Sequence, residues 1–191
     1  DGLDSGDYYF VEIKAPAGYV LDTTKIEFTV TKAGEVISKS LVNYEVPTIT
    51  KDIEGAEQFD VESGTEYTYN LTLNLPASIH EYTEFVVTDT LDARLTYADD
   101  WSVTGVNKEN IAFTKTETEA GEEVLTWTFE KLNALKDVNQ VVISFKAEIK
   151  ADAQLVEGET GIPNDATLQF NNGHGGEGSV TTEEVIVKPS D

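Results

Sequence analysis

The sequence has 191 residues, 36 acidic against 13 basic, with a formal net charge of −23 and no cysteine. That balance excludes a phosphate-backbone partner and attraction to an anionic membrane surface, both of which draw on Lys and Arg. The missing cysteines exclude a disulfide framework and a thiolate metal site, although 39% hydrophobic content is enough to bury a core.

In chain order, "KIEFTVT" (25–31) and "EVISKSLVN" (35–43) read as short strands. The expected seam is "NYEVPTITKDIEG", where Pro47 cannot donate to a ladder and a long series of strands begins. The expected division is therefore 1–46 and 47–191. The first part offers only about three strands, too few for a sandwich core, and reads as the tail end of a domain that begins upstream. With no Met anywhere, the chain reads as a fragment of a longer protein.

Beyond the seam, "TEYTYNLTLNL" (65–75) puts Tyr67, Tyr69, Leu71, Leu73 and Leu75 on one face. "NQVVISFKAEIKA" (139–151) does the same with Val141, Ile143, Phe145, Ala147 and Ile149. "WSVTGV", "EVLTWTFEKL", "ATLQFNN" and "EVIVKP" add shorter strands, "EKLNALKDVN" hints at one helical turn, and "NNGHGGEGSV" reads as a flexible tip. Many short alternating strands indicate an all-β sandwich.

Three strands break the rule that the inner face is apolar. In "TITKDI" the face of Ile49 and Ile53 carries Lys51; in "FVVTDTL" that of Phe85, Val87 and Leu91 carries Asp89. In "IPNDATLQF" the face of Ala166, Leu168 and Phe170 carries Asn164. Burying any one of these alone costs several kcal/mol, at about 2–7 kcal/mol for even an uncharged polar group. Together they suit a reaction. Desolvation favours a neutral, nucleophilic Lys51 amine and a protonated Asp89, so Lys51 can attack the Asn164 carboxamide and release ammonia. The plain alternative is a Lys51–Asp89 salt bridge. A bond from Lys51 to Asn164 closes a loop of 113 residue steps, which by analogy with disulfide loops stabilises by about 4–5 kcal/mol.

Other chemistry is weaker. His80 and His174 lack a ligand set and read as exposed loop residues, so no metal or other cofactor is expected. The acidic runs "LDARLTYADD" and "ETEAGEE" read as a solvated face rather than a Ca²⁺ loop. Trp101 and Trp127 read as core rather than as a glycan platform. The triplet at Asn70 matches a glycan acceptor, relevant only in a secretory host. No phosphate loop or Ser-His-Asp arrangement suggests turnover, and single-turnover cross-linking does not make the chain an enzyme.

The segment "YYFVEIKAPAGYVLD" (8–22) resembles the E-box of sortase-assembled Gram-positive pilins: Tyr8, Phe10 and Glu12 at alternate positions, then Ala15, Pro16, Gly18 and Tyr19, with Ile13 where Thr is common. "ITKDIEG", "DTLDARLTY" and "IPNDATLQFNN" are similar to the larger pilin sandwich. The resemblance implies an immunoglobulin-like sandwich of the collagen-adhesin A type, preceded by the C-terminal strands of an incomplete B-type sandwich. It also implies a Lys51–Asn164 isopeptide bond assisted by Asp89, with Asn172 as runner-up acceptor. In the first unit it implies that Glu12 assists a bond between Asn43 and a Lys outside this chain. Further implications are a structural role in a cell-wall-anchored pilus outside the cell and sortase-linked neighbouring subunits. A host surface protein or glycan is a further partner under the alternative reading, a ligand-binding adhesin domain. "VIVKPSD" departs from the polymerisation motif, so Lys188 reads as an ordinary strand-end residue, and no Leu-Pro-x-Thr-Gly sorting signal is present in the sequence.

Overall fold

The computed structural model describes residues 2–190; Asp1 and Asp191, the outer bounds of the two expected units, lie outside the described residues. The first part holds one antiparallel pair, β1 (Gly6–Phe10) and β2 (Ile26–Val30). Tyr8 and Phe10, on one side of β1, both stack on Phe28 of β2. The expected strand at 35–43 does not form, and only Glu45 makes an isolated bridge, to Tyr19. A strand persists when a neighbour takes up its hydrogen bonds, and no described strand lies beside this stretch.

From Thr48 the chain runs through β3 (Thr48–Ile53), β4 (Gln58–Glu62), β5 (Tyr67–Asn74), β6 (Glu84–Thr90) and β7 (Leu95–Thr104). There follow β8 (Ile111–Glu117), β9 (Glu123–Phe129), β10 (Gln140–Ile149), β11 (Ile162–Asn164), β12 (Thr167–Asn171), β13 (Glu177–Thr181) and β14 (Val185–Ser190). The helical turn expected near residue 130 is a 3-10 turn at Leu132–Leu135.

These strands make a sheet of order β3-β5-β10-β7, a second of order β13-β12-β6-β9-β8, and a third of order β11-β14-β4. Pairing is antiparallel except for β14 with β4. The alternating pattern decides which faces meet: Tyr67, Tyr69, Leu71 and Leu73 are buried, as are Phe85 and Val87, Leu125 and Trp127, and Val141, Ile143 and Phe145. Aromatic edges and faces tie the layers, with Trp127 5.4 Å from both Phe113 and Phe145. Trp127 is thus core, and Trp101 packs beside it at 6.2 Å.

The glycine-rich "NNGHGGEGSV" is not a loose tip. Glu177–Val180 belong to β13, and the turn before it is pinned against the first part of the chain. Its glycines follow from geometry: Gly173 and Gly175 have φ of 74° and 86°, and a Cβ on Gly176 would sit 2.4 Å from the Leu21 carbonyl oxygen.

Candidate functional site

The three sheets converge on one polar cluster inside the sandwich. Lys51 comes from β3, where it lies opposite Leu71; Asp89 from β6, opposite Leu125; Asn164 from the end of β11, opposite Val185. All three are buried: Asp89 is 0% exposed, Asn164 4% and Lys51 8%, with the Lys51 side chain itself fully enclosed. The alternation read from the sequence therefore assigns all three to the inner face, as found.

Inside the cluster, the Lys51 amine donates to Asp89 Oδ2 and, at 3.4 Å, to the carbonyl oxygen of Asp165, the residue next to Asn164. The ring of Tyr69 lies 4.4 Å beneath the amine and that of Phe145 5.5 Å away. Burial pushes the Lys51 ammonium below its ordinary range, opposed by the Asp89 charge. Burial likewise pushes the Asp89 carboxyl up, opposed by Lys51. Both directions favour a pair that has passed its proton from nitrogen to oxygen.

Asn164 differs from its neighbours. Its Oδ1 and Nδ2 are both buried without a hydrogen bond, although the carboxamide lies close enough to Asp89 and Tyr69 to ease ionisation of both. Asp89 Oδ1 is also unpartnered. Such orphaned atoms are rare in cores and cost about 1–3 kcal/mol each. Open grooves flank the cluster, one lined by Lys51 with Ile49 and Thr182, the other by Asn164 with Asp165 and Glu184.

The residues expected in the first part are arranged differently. Glu12 Oε2 accepts from the Asp22 amide at 3.0 Å, while the Asn43 side-chain oxygen is buried without a partner, and no hydrogen bond joins the two. Asn172 is fully engaged elsewhere. Its Nδ2 donates to the Leu21 carbonyl at 2.8 Å, and its Oδ1 accepts from the amides of His174 (2.9 Å) and Gly176 (2.8 Å). It fastens the 172–176 turn to the first part of the chain, helped by the Thr23 amide, which donates to the His174 carbonyl at 2.7 Å. Lys188 lies within β14, level with Asp60 of β4. Among the described residues no group of three or more His, Cys, Asp or Glu is placed to hold a metal, and no helix is long and apolar enough to cross a membrane.

Two features escaped sequence reasoning. Tyr67 and Tyr69 border the cluster, yet the sequence shows only that they face inward. Arg94 ties Asp92 (2.8 Å) to Glu159 (2.6 Å) and reaches the Gln154 carbonyl, and nothing in the spacing of 92, 94 and 159 signals it.

Residues 1–45 match the SpaA prealbumin-like fold domain. Over 151 residues the chain is 30% identical to Platelet adherence protein A of Streptococcus gordonii, covering 76% of this chain and 4% of that one. The crystal structure of BcpA, the major pilin subunit of Bacillus cereus, matches 98% of this chain and 56% of its own at 31% identity and a TM-score of 0.79. The full-length major pilin SpaD of Corynebacterium diphtheriae shares the fold, at 24% identity and a TM-score of 0.65 over 96% of this chain and 47% of its own. The chain thus spans about half the length of the pilins it matches. It is pilin-like in both parts: a SpaA-type prealbumin-like segment followed by the kind of all-β sandwich found in Gram-positive major pilins.

Proposed function

We propose that this chain is a structural piece of a Gram-positive surface pilus whose sandwich closes on itself through a Lys51–Asn164 isopeptide bond. One observation carries the reading: an amine, a carboxyl and a carboxamide without hydrogen bonds share one water-poor core.

The chemistry follows from their placement. Asp89 takes a proton from Lys51, leaving the neutral amine to attack Cγ of Asn164 and push the carbonyl electrons onto Oδ1. One further proton passes from the attacking nitrogen, by way of the carboxyl, to Nδ2, which departs as ammonia with its own two hydrogens as the carbonyl re-forms. Of the three protons on the original Lys51 ammonium, one ends on Asp89, one leaves in ammonia and one stays on the new amide nitrogen. The flanking grooves give ammonia a way out.

In this reading the bond replaces the disulfides that the cysteine-free sequence lacks, and it supplies resistance to tension and proteases. The first part, residues 1–46, makes a second bond at Asn43, assisted by Glu12, when a lysine-bearing strand from outside this chain is present. The orphaned Asn43 oxygen supports that role. The setting would be the extracellular, cell-wall-anchored pilus, with neighbouring subunits joined by sortase, and the chain would not turn over an external substrate. The likeness to an adherence protein supports a second reading, an adhesin domain that binds a host surface; binding of the purified chain to platelets would test it.

Intact mass of the denatured protein, followed by peptide mapping, tests the cross-link. A deficit of one ammonia with the Lys51 and Asn164 peptides joined is expected. A mass equal to that of the sequence would reduce the cluster to a buried ion pair.

A further inference from the structure

Two buried phenols stand beside the reacting groups with a proton to spare. The Tyr67 and Tyr69 hydroxyls are 3.3 Å apart, their rings edge to face at 5.1 Å, and both residues are enclosed, at 2% and 0% exposure. A hydroxyl pair holds two protons, and the contact between them uses one. The other is left in a core where the nearby unsatisfied acceptors are Asn164 Oδ1 and Asp89 Oδ1. Tyr69 is the member placed against the reacting groups, its ring lying 4.4 Å from the Lys51 amine.

We propose that Tyr69 is a catalytic donor to Asn164 Oδ1, stabilising the negative charge that develops there as Lys51 attacks, and that Tyr67 positions the Tyr69 hydroxyl. This inference rests on the cross-link proposed above. Burial pushes the pKa of both phenols well above the ordinary range, so each keeps its proton and can donate it. The resting structure has no hydrogen bond from Tyr69 to Asn164, as expected of a donor aimed at the oxyanion rather than at the ground-state carbonyl; such contacts tighten as charge builds up. The step adds no bond to tyrosine. The phenolic hydrogen is shared with Oδ1 in the tetrahedral intermediate and returns when the carbonyl re-forms.

The test is the rate at which newly made chain loses ammonia, followed by cell-free synthesis of the full chain, quenching in acid at intervals, and intact mass. Tyr69→Phe keeps the ring and should slow cross-linking about 10²-fold or more, the usual effect of losing one oxyanion donor. Tyr67→Phe should slow it less. Incorporating 3-fluorotyrosine at position 69 keeps the hydroxyl and makes it a stronger donor, so cross-linking should match or exceed the wild-type rate, whereas a packing role for the hydroxyl gives no gain from the stronger acid. Each variant is also melted in a Lys51→Ala background, where no bond can form; equal melting temperatures there show that folding is intact. Cross-linking of Tyr69→Phe at the wild-type rate would overturn the donor role and leave the cross-link standing, whereas a wild-type protein with no deficit would overturn both.

Discussion

Residues 2–46 and the sandwich that starts at Thr48 treat their apolar side chains in opposite ways. Among the described residues, Val20 and Val30 are the only buried apolar residues of the first part, while Leu3, Tyr9, Phe10, Val11, Ile13, Tyr19, Val36, Leu41 and Val42 are exposed. Among the described residues of the sandwich, only Leu155 and Val156 are large, apolar and exposed. The polar groups divide in the same way. Lys51, Asp89 and Asn164 meet because three sheets enclose them, whereas Glu12 is occupied by a backbone amide and Asn43 has no partner. Reactive residue types are therefore not sufficient. A carboxylate and a carboxamide become a site only when a closed core desolvates them together.

The comparison is broken most severely by removing the amine. Lys51→Ala should abolish the ammonia deficit and remove about 4–5 kcal/mol of loop-closure stabilisation, a fall of about 10–20 °C in melting temperature for a chain of this size. Asp89→Ala should give the same mass and at least as large a fall, because it leaves an ammonium buried without its partner. Unchanged melting in both variants would strip the cluster of its structural role.

Asn172→Ala tests the fastening between the two parts. Losing one donor and two accepted bonds should cost about 1–3 kcal/mol. Hydrogen exchange should quicken at the amides of Thr23, His174 and Gly176 and leave β5 and β10 protected. Equal protection would mean that the turn holds its shape unaided.

The smallest effect is expected at Arg94. Its hydrogen bonds are the main reason the Asp92 and Glu159 carboxyls titrate below their ordinary values of 3.8 and 4.5. Carboxyls depressed in the fold add stability that is full above those values and lost as pH falls through the lower folded ones. Arg94→Gln should therefore melt slightly below the wild type at pH 7, with the gap closing as the pH falls below those ordinary values. A gap that does not change with pH would point to packing instead.

Much of the sandwich is legible in its period of two. The faces of "TEYTYNLTLNL", "NQVVISFKAEIKA" and "FVVTDTL" emerge as read, and the polar exceptions at 51, 89 and 164 are buried. Other features depend on partners distant in sequence, about which local pattern is silent. Strand β4 owes its place to parallel pairing with β14, more than 120 residues later. The "NNGHGG" turn looks loose by composition and is ordered by Leu21 and Thr23. The "EVISKSLVN" stretch alternates well enough for a strand, but no described neighbour takes up its backbone. Tyr67 and Tyr69 show their face in the sequence, while their nearness to Asn164 depends on how β5 and β11 meet.

The position of Asn164 along the chain has a consequence for length under load. β12, β13 and β14 all follow it, so the 26 residues from Asp165 to Ser190 lie outside the loop that a Lys51–Asn164 bond would close. Tension entering through Ser190 would meet a stiff span from 51 to 164 in series with three strands held by hydrogen bonds and the packing of Leu168, Phe170, Val185 and Val187, with no covalent tie. Drawn out fully, those residues would release about 90 Å at about 3.5 Å each. A fibre built of such units could stretch under a sudden pull and recoil without breaking a covalent bond.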